Sequence, residues 1–218
     1  MAYDGRARAP SQHRDFRMKL HYSPTSPYVR KVMVLAIEAG LESRIERIST
    51  NPWVRDDALV ADNPLSKVPT LITDDGLVLY DSPVICEYLD SLHTNTRFVP
   101  LAGKARWNAL RLQALGDGIL DAAVLRRLES QRPAPQRSAD WEALQHTTVV
   151  RGLAALGAEC STWRGTLTVG HIAAACALGY LDFRFASEPW REHHPALADW
   201  YATFAARPSM LGTAPPAA

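Results

Sequence analysis

Two rhythms of apolar residues divide the chain. Met18–Tyr22 is a short run of strand character. Ser26-Pro27 then introduces Val29, Val32, Met33, Ala36 and Ile37 at the i, i+3, i+4, i+7, i+8 spacing of a helix with one apolar face. Serine is a good N-cap, proline suits the first helical position, and Gly40 supplies a stop. Arg44–Ile48 reads as a second strand, whereas residues 51–62 are polar and irregular and receive no assignment. Val68-Pro69 leads into a strand at Thr70–Thr73, and Asp74-Asp75-Gly76 turns the chain into Leu77–Tyr80, which is a hairpin signal. Ser82-Pro83 opens a further helix that runs to Leu92.

Beyond residue 92 the strand rhythm stops. Residues 93–104 read as a linker, and helical stretches follow near 104–130, 138–158, 168–186 and 195–206. A strand–helix–strand opening implies parallel pairing through a right-handed crossover, and the hairpin adds an antiparallel edge. The expected architecture is an α/β domain at 18–92 followed by an all-α domain at 105–210. A disordered extension at 1–17 and a frayed tail at 211–218 flank them.

Composition narrows the class of protein. The 218 residues are 47% hydrophobic and carry a net charge of +1 with both signs interspersed, so no basic footprint for nucleic acid or an anionic membrane stands out. No apolar run approaches the roughly 18 residues that span a bilayer. The first 17 residues lack the apolar core of a secretory signal, and Asp4 and Asp15 weigh against an organelle-targeting role for them. Cys86, Cys160 and Cys176 form no CxxC pair, which argues against a disulfide framework or a structural zinc site and fits a reducing cytoplasm.

Three segments of the first half can carry chemistry. In Ser23-Pro24-Thr25-Ser26-Pro27 a hydroxyl stands at a helix start just after a strand, where it can donate to a bound thiolate while the helix dipole adds positive potential. Read alone, Ser26 is a cap. In Asn63-Pro64-Leu65-Ser66-Lys67-Val68-Pro69 a proline precedes an apolar run, a position open to a cis bond, and Lys67 read alone is a solvated lysine. Asp81-Ser82-Pro83 is a second capped helix start, whose free N–H groups suit a carboxylate.

Taken together, HYSPTSPYVRKV, NPLSKVPTL and LVLYDSPVICEYLD resemble the glutathione transferase family in order and spacing, and the helical half extends the likeness over residues 18–210. The resemblance implies a thioredoxin-like domain with a mixed four-stranded sheet, an all-helical second domain, a homodimer, and glutathione as co-substrate with no prosthetic group or metal. Ser26 matches the serine that activates the glutathione thiol in serine-type classes (theta, delta, zeta), and the first cysteine of the glutaredoxin CPYC motif. Val68 would hold the cysteinyl part through its backbone, Pro69 would be the cis proline, and Lys67 would face the glycyl carboxylate. Asp81 and Ser82 would bind the γ-glutamyl amine and carboxylate. Ser23 and Thr25 share the loop and remain alternatives to Ser26. The chain departs from the family at Thr168-Val169-Gly170-His171, where the pattern expects an acid as the fourth residue of a buried capping box.

Other conspicuous residues read more plainly. His193-His194 has no third metal ligand in view, the cysteines read as packed thiols, and Asp117 and Asp121 as a solvated or dimer-facing pair. Trp107, Trp163, Trp190 and Trp200 read as core. The functional expectation is transfer of glutathione to a small electrophile. Two alternatives are a glutathione-dependent disulfide or peroxide reductase, which lacks a cysteine at position 26, and a non-catalytic interaction protein on the same fold.

Overall fold

The computed structural model describes residues 17–216, so the extension expected at 1–17 lies outside the described residues except for Arg17. Strand β1 (Met18–Tyr22), helix α1 (Pro27–Glu38) and strand β2 (Ile45–Ser49) form the predicted crossover. Helix α2 (Asp57–Asp62), strands β3 (Thr70–Ile72) and β4 (Val78–Leu79), and helix α3 (Ser82–Ser91) complete the first half. The sheet order is β2-β1-β3-β4, with β1 and β2 parallel and the other pairs antiparallel. Thr73 N–H bonds the Leu77 carbonyl across the hairpin, where Gly76 takes a φ of 88° that a side chain would strain.

Helix α2 occupies the stretch left unassigned by sequence. Its cap is the Asp56 carboxylate, which accepts from the Ala58 and Leu59 N–H groups, and Leu59 is its only buried residue. One buried position in six residues leaves no period to read.

The second half consists of α4 (Gly103–Gln131), α5 (Ala139–Glu159), α6 (Val169–Arg184), α7 (Trp190–His193), α8 (Pro195–Ala205) and α9 (Pro208–Leu211). Helix α6 is apolar almost all round from Ile172 to Leu181 and is correspondingly enclosed. It packs against α4, which it approaches closely because Gly116 and Gly170 bring no side chain to the crossing: a Cβ on Gly116 would stand 2.7 Å from the Ala173 carbonyl carbon. At its start the missing acid is replaced by an imidazole, since the Thr168 N–H donates to His171 Nδ1 at 3.0 Å. That bond requires His171 Nδ1 to be an unprotonated acceptor, and burial lowers the His171 pKa in the same sense.

Helix α1 joins the two halves by packing on α3 and α6. Lys31, fully buried, bonds both carboxylate oxygens of Asp117 on α4 at 2.6 and 2.7 Å. The sequence reading of Asp117 as solvated or dimer-facing is thereby corrected: Asp117 is the counter-charge of an enclosed ammonium. Asp121, one turn on, accepts from the Tyr28 hydroxyl. Trp190 is buried as expected, but Trp107 is 66% exposed, because it lies outside the register of the buried α4 residues Ala109, Leu112, Gln113 and Gly116.

The far end of α1 is clamped as well. Arg207 donates from Nε and Nη2 to the Glu38 carboxylate at 2.8 and 2.6 Å, and the Ser209 hydroxyl donates to it too. The start of the tail expected to fray is tied down by the same segment: Thr213 is buried and its hydroxyl bonds the Ser209 carbonyl at 2.7 Å. The Arg207 hydrogen bond holds the Glu38 carboxyl below its ordinary value of 4.5, burial opposing and Ser209 assisting. A folded-state pKa below the unfolded one means that this clamp contributes above the unfolded value and is lost as pH falls through the folded one. We expect Glu38→Gln to cost up to about 1 kcal/mol at pH 7, as a partly exposed pair should, and less at pH 3, below the ordinary carboxyl value of 4.5. Melting curves at the two pH values check this, and an equal loss at both contradicts it.

Candidate functional site

All three candidate segments gather at one end of the sheet, and the register explains why. His21 of β1 pairs with Thr70 of β3, and Leu71 pairs with Leu79 of β4. The loop after β1, the residues before β3 and the residues after β4 therefore leave the sheet at the same end. Helices α1 and α3 both begin there, so two positive helix termini face one region.

Ser26 is the N-cap of α1: its Oγ accepts from the Val29 N–H at 3.3 Å. Capping uses an oxygen lone pair and leaves the hydroxyl hydrogen free to donate elsewhere. A narrow, shallow cleft lies beside it, walled by Pro24, Thr25, Ser26 and Pro27 on one side and by Tyr180 and Phe183 of α6 on the other. Ser23 is buried and does not line the cleft, whereas Thr25 does.

The second segment is held by Asn63, a residue the sequence reading passed over. Its amide nitrogen donates to the Lys67 carbonyl at 3.1 Å and to Thr70 Oγ1 at 2.9 Å, and its Oδ1 accepts from the Leu65 N–H. The Val68-Pro69 bond is cis. The Val68 N–H and carbonyl take no part in the loop's own hydrogen bonds among the described residues, while the Lys67 side chain is exposed. Asn-Pro followed by a turn and a strand was the signal for this anchor.

At the third segment Asp81 caps α3 by accepting from the Ser82 N–H. Ser82 is 1% exposed, and its Oγ is buried with no hydrogen-bond partner among the described residues. A buried hydroxyl without a partner costs about 1–3 kcal/mol, so it marks a place that a polar ligand atom can complete. Asp81 also lies near enough to add to the upward shift of the Tyr28 hydroxyl and the Asp117 carboxyl, both of which burial raises first.

The cysteines offer no nucleophile. All three are buried and free, and burial pushes the Cys86 thiol up to about 12 and the Cys176 thiol to about 11, so both are protonated at neutral pH.

Residues 25–92 match the family model for the glutathione S-transferase N-terminal domain, and residues 122–203 match that for the C-terminal domain. A glutathione transferase family member from Pseudomonas fluorescens Pf-5, solved with bound glutathione, is 46% identical with a TM-score of 0.87, over 91% of this chain and 99% of that one. A second structure under the same description, with bound S-(propanoic acid)-glutathione, is 44% identical with a TM-score of 0.84, over 91% of this chain and all of that one. The GST-like protein YibF of Escherichia coli K12, itself called uncharacterized, is 35% identical over 92% of this chain and 100% of its own length. With its four-stranded mixed sheet, thioredoxin-like first domain and helical second domain, the chain belongs to the glutathione S-transferase family.

Proposed function

We propose that this protein is a glutathione transferase that binds the tripeptide across the sheet end, holds its sulfur as thiolate beside Ser26 and transfers it to a small electrophile. The observation that carries the reading is the buried, unpartnered Ser82 hydroxyl at the start of α3, where a γ-glutamyl carboxylate finds both a donor and a helix N-terminus. Asp81 would take the γ-glutamyl amine, the Val68 backbone the cysteinyl unit beside cis Pro69, and Lys67 the glycyl carboxylate. Relatives solved with glutathione and with S-(propanoic acid)-glutathione support a site that accepts the tripeptide with or without a short group on sulfur. The reading includes a homodimer in the cytoplasm, and the mass in solution tests the first of these.

In the reaction the thiolate sulfur forms a bond to carbon while a leaving group departs with its electron pair. With an activated alkene the sulfur adds to the β-carbon instead, and the displaced electron pair takes a proton from water. The protein's part is to bind, orient and stabilise the anion. Lowering a thiol pKa from ~8.5 to ~6.5 needs ~2.7 kcal/mol, which one charge-assisted hydrogen bond plus a helix dipole can supply.

Calorimetric titration with glutathione tests the binding half. Ser82→Ala should weaken binding by about 1.5–3 kcal/mol while leaving the melting temperature unchanged or raised, because it removes an unsatisfied buried group. Asp81→Ala should weaken binding more than it slows the bound-state chemistry. A Ser82→Ala protein that melts earlier and binds glutathione normally contradicts the assignment.

A further inference from the structure

The start of α6 carries a residue that the glutathione site does not use. His171 Nδ1 accepts from the Thr168 N–H, so the ring hydrogen stands on Nε2, which has no hydrogen-bond partner among the described residues. The ring lines a second cavity of about 330 Å³, within the size range of small-molecule sites. None of the residues around this cavity belongs to the cleft beside Ser26. Arg207 on its wall is the residue that clamps Glu38 at the far end of α1, so the length of that 12-residue helix, roughly 18 Å, separates the cavity from Ser26.

The walls are aromatic. Trp163, from the loop before α6, meets Trp200 of α8 edge-on with ring centroids 4.7 Å apart, and lies 5.5 Å from the His171 ring. Trp200 in turn packs on Phe204 at 5.1 Å. Both indoles are only half-buried, and edge-on packing leaves ring surface on which a further flat ring can lie. The charge on the wall is positive. Arg164 has no carboxylate within 4 Å among the described residues and engages only its Nε, to the Ser161 carbonyl at 3.4 Å. Arg207 is neutralised by Glu38 and adds no free charge. No acidic residue lines the cavity, and Glu159, whose charge reaches His171 from the end of α5, is itself paired with Arg111. An open guanidinium and an imidazole N–H beside stacked rings are complementary to a flat anion.

We infer that this cavity binds an aromatic carboxylate, with its rings among Trp163, Trp200 and Phe204 and its carboxylate on Arg164 and the His171 Nε2–H. The site is separate from the sheet end, and its ligand takes no part in chemistry at Ser26. His171 then does two things: Nδ1 caps α6, and Nε2 offers a donor to the cavity. An acid at this position, as the capping pattern asks, would serve the helix equally well and repel the ligand.

Calorimetry and tryptophan fluorescence with 2-naphthoate and its neutral analogue 2-naphthamide test this on the full chain. The acid should quench the tryptophan emission and bind about tenfold more tightly than the amide, the scale of one charge-assisted pair. Saturating glutathione should leave its affinity unchanged. His171→Asp keeps an acceptor for the Thr168 N–H, so it should melt close to the parent, yet it should weaken 2-naphthoate at least about tenfold. Arg164→Gln alters an exposed side chain and should bring the acid-to-amide ratio near one. No binding of 2-naphthoate, equal binding of acid and amide, a preference that survives both substitutions, or displacement by glutathione overturns the inference. A protein that binds 2-naphthoate as described but not glutathione supports this site and counts against the transferase reading.

Discussion

Asp117→Asn should destabilise the protein by about 3 kcal/mol or more, the largest single-residue loss we expect away from the ligand. The substitution keeps the shape of the side chain and removes its charge, so the fully buried Lys31 ammonium loses its counter-ion between α1 and α4. For a protein of this size that corresponds to a fall in melting temperature of roughly 10 °C. The intact pair itself adds little net stability. Burial raises the Asp117 pKa even though Lys31 pulls it down, so the cost of enclosing the carboxylate outweighs what the ammonium returns. A raised folded-state pKa favours folding at pH values below the unfolded one, and that contribution is lost as pH rises through the folded value. Replacing both partners, as Lys31→Met/Asp117→Leu, should therefore recover most of the loss. Scanning calorimetry of the single and double variants decides the matter, and a single variant that melts within 2 °C of the parent (roughly half a kcal/mol) would show the pair to be solvated.

Ser26→Ala should return the thiol of bound glutathione towards its solution pKa. A change from ~6.5 to ~8.5 lowers the thiolate fraction at pH 7 from about three quarters to about 3%, a fall of about 25-fold that vanishes above pH 9. Affinity for glutathione should barely move, because Ser26 is assigned only to the sulfur. The same substitution removes the cap of α1 and should cost ~1 kcal/mol of stability, so the melting curve and the thiol titration report separate roles. Thr25 also lines the cleft, and a pKa rise produced by Thr25→Ala or Ser23→Ala, with Ser26→Ala silent, moves the role to that residue.

The elements that could be read from the chain are those whose signals are local. Helix α1 carries its own cap, its own proline and five apolar positions in phase, and the hairpin carries its turn in Asp74-Asp75-Gly76. Helix α2 has a cap but a single buried side chain, so periodicity had nothing to work on. Lys31 shows the second kind of blindness. A lysine beside Val32 reads as the polar face of α1, yet its partner lies 86 residues away on α4, and only the packed structure makes that position interior. Asp117 was misplaced for the same reason, and Trp107 for the converse one, since a large apolar residue can fall outside the buried register.

At the site, the three segments are recognisable as motifs, but their convergence depends on strand register. The orphaned Ser82 hydroxyl and the Asn63 anchor depend on what is absent or distant around them, which a linear pattern does not encode. His171 belongs to the same group. The capping pattern asks for an acid, and an imidazole nitrogen in the right tautomer serves as the acceptor.

The central claim is that the sheet end holds glutathione as a thiolate. The most direct test is to saturate the purified protein with glutathione and follow thiolate ultraviolet absorbance against pH. The account predicts a saturable signal whose pKa lies about two units below that of free glutathione. A bound thiol that titrates like the free tripeptide would contradict it.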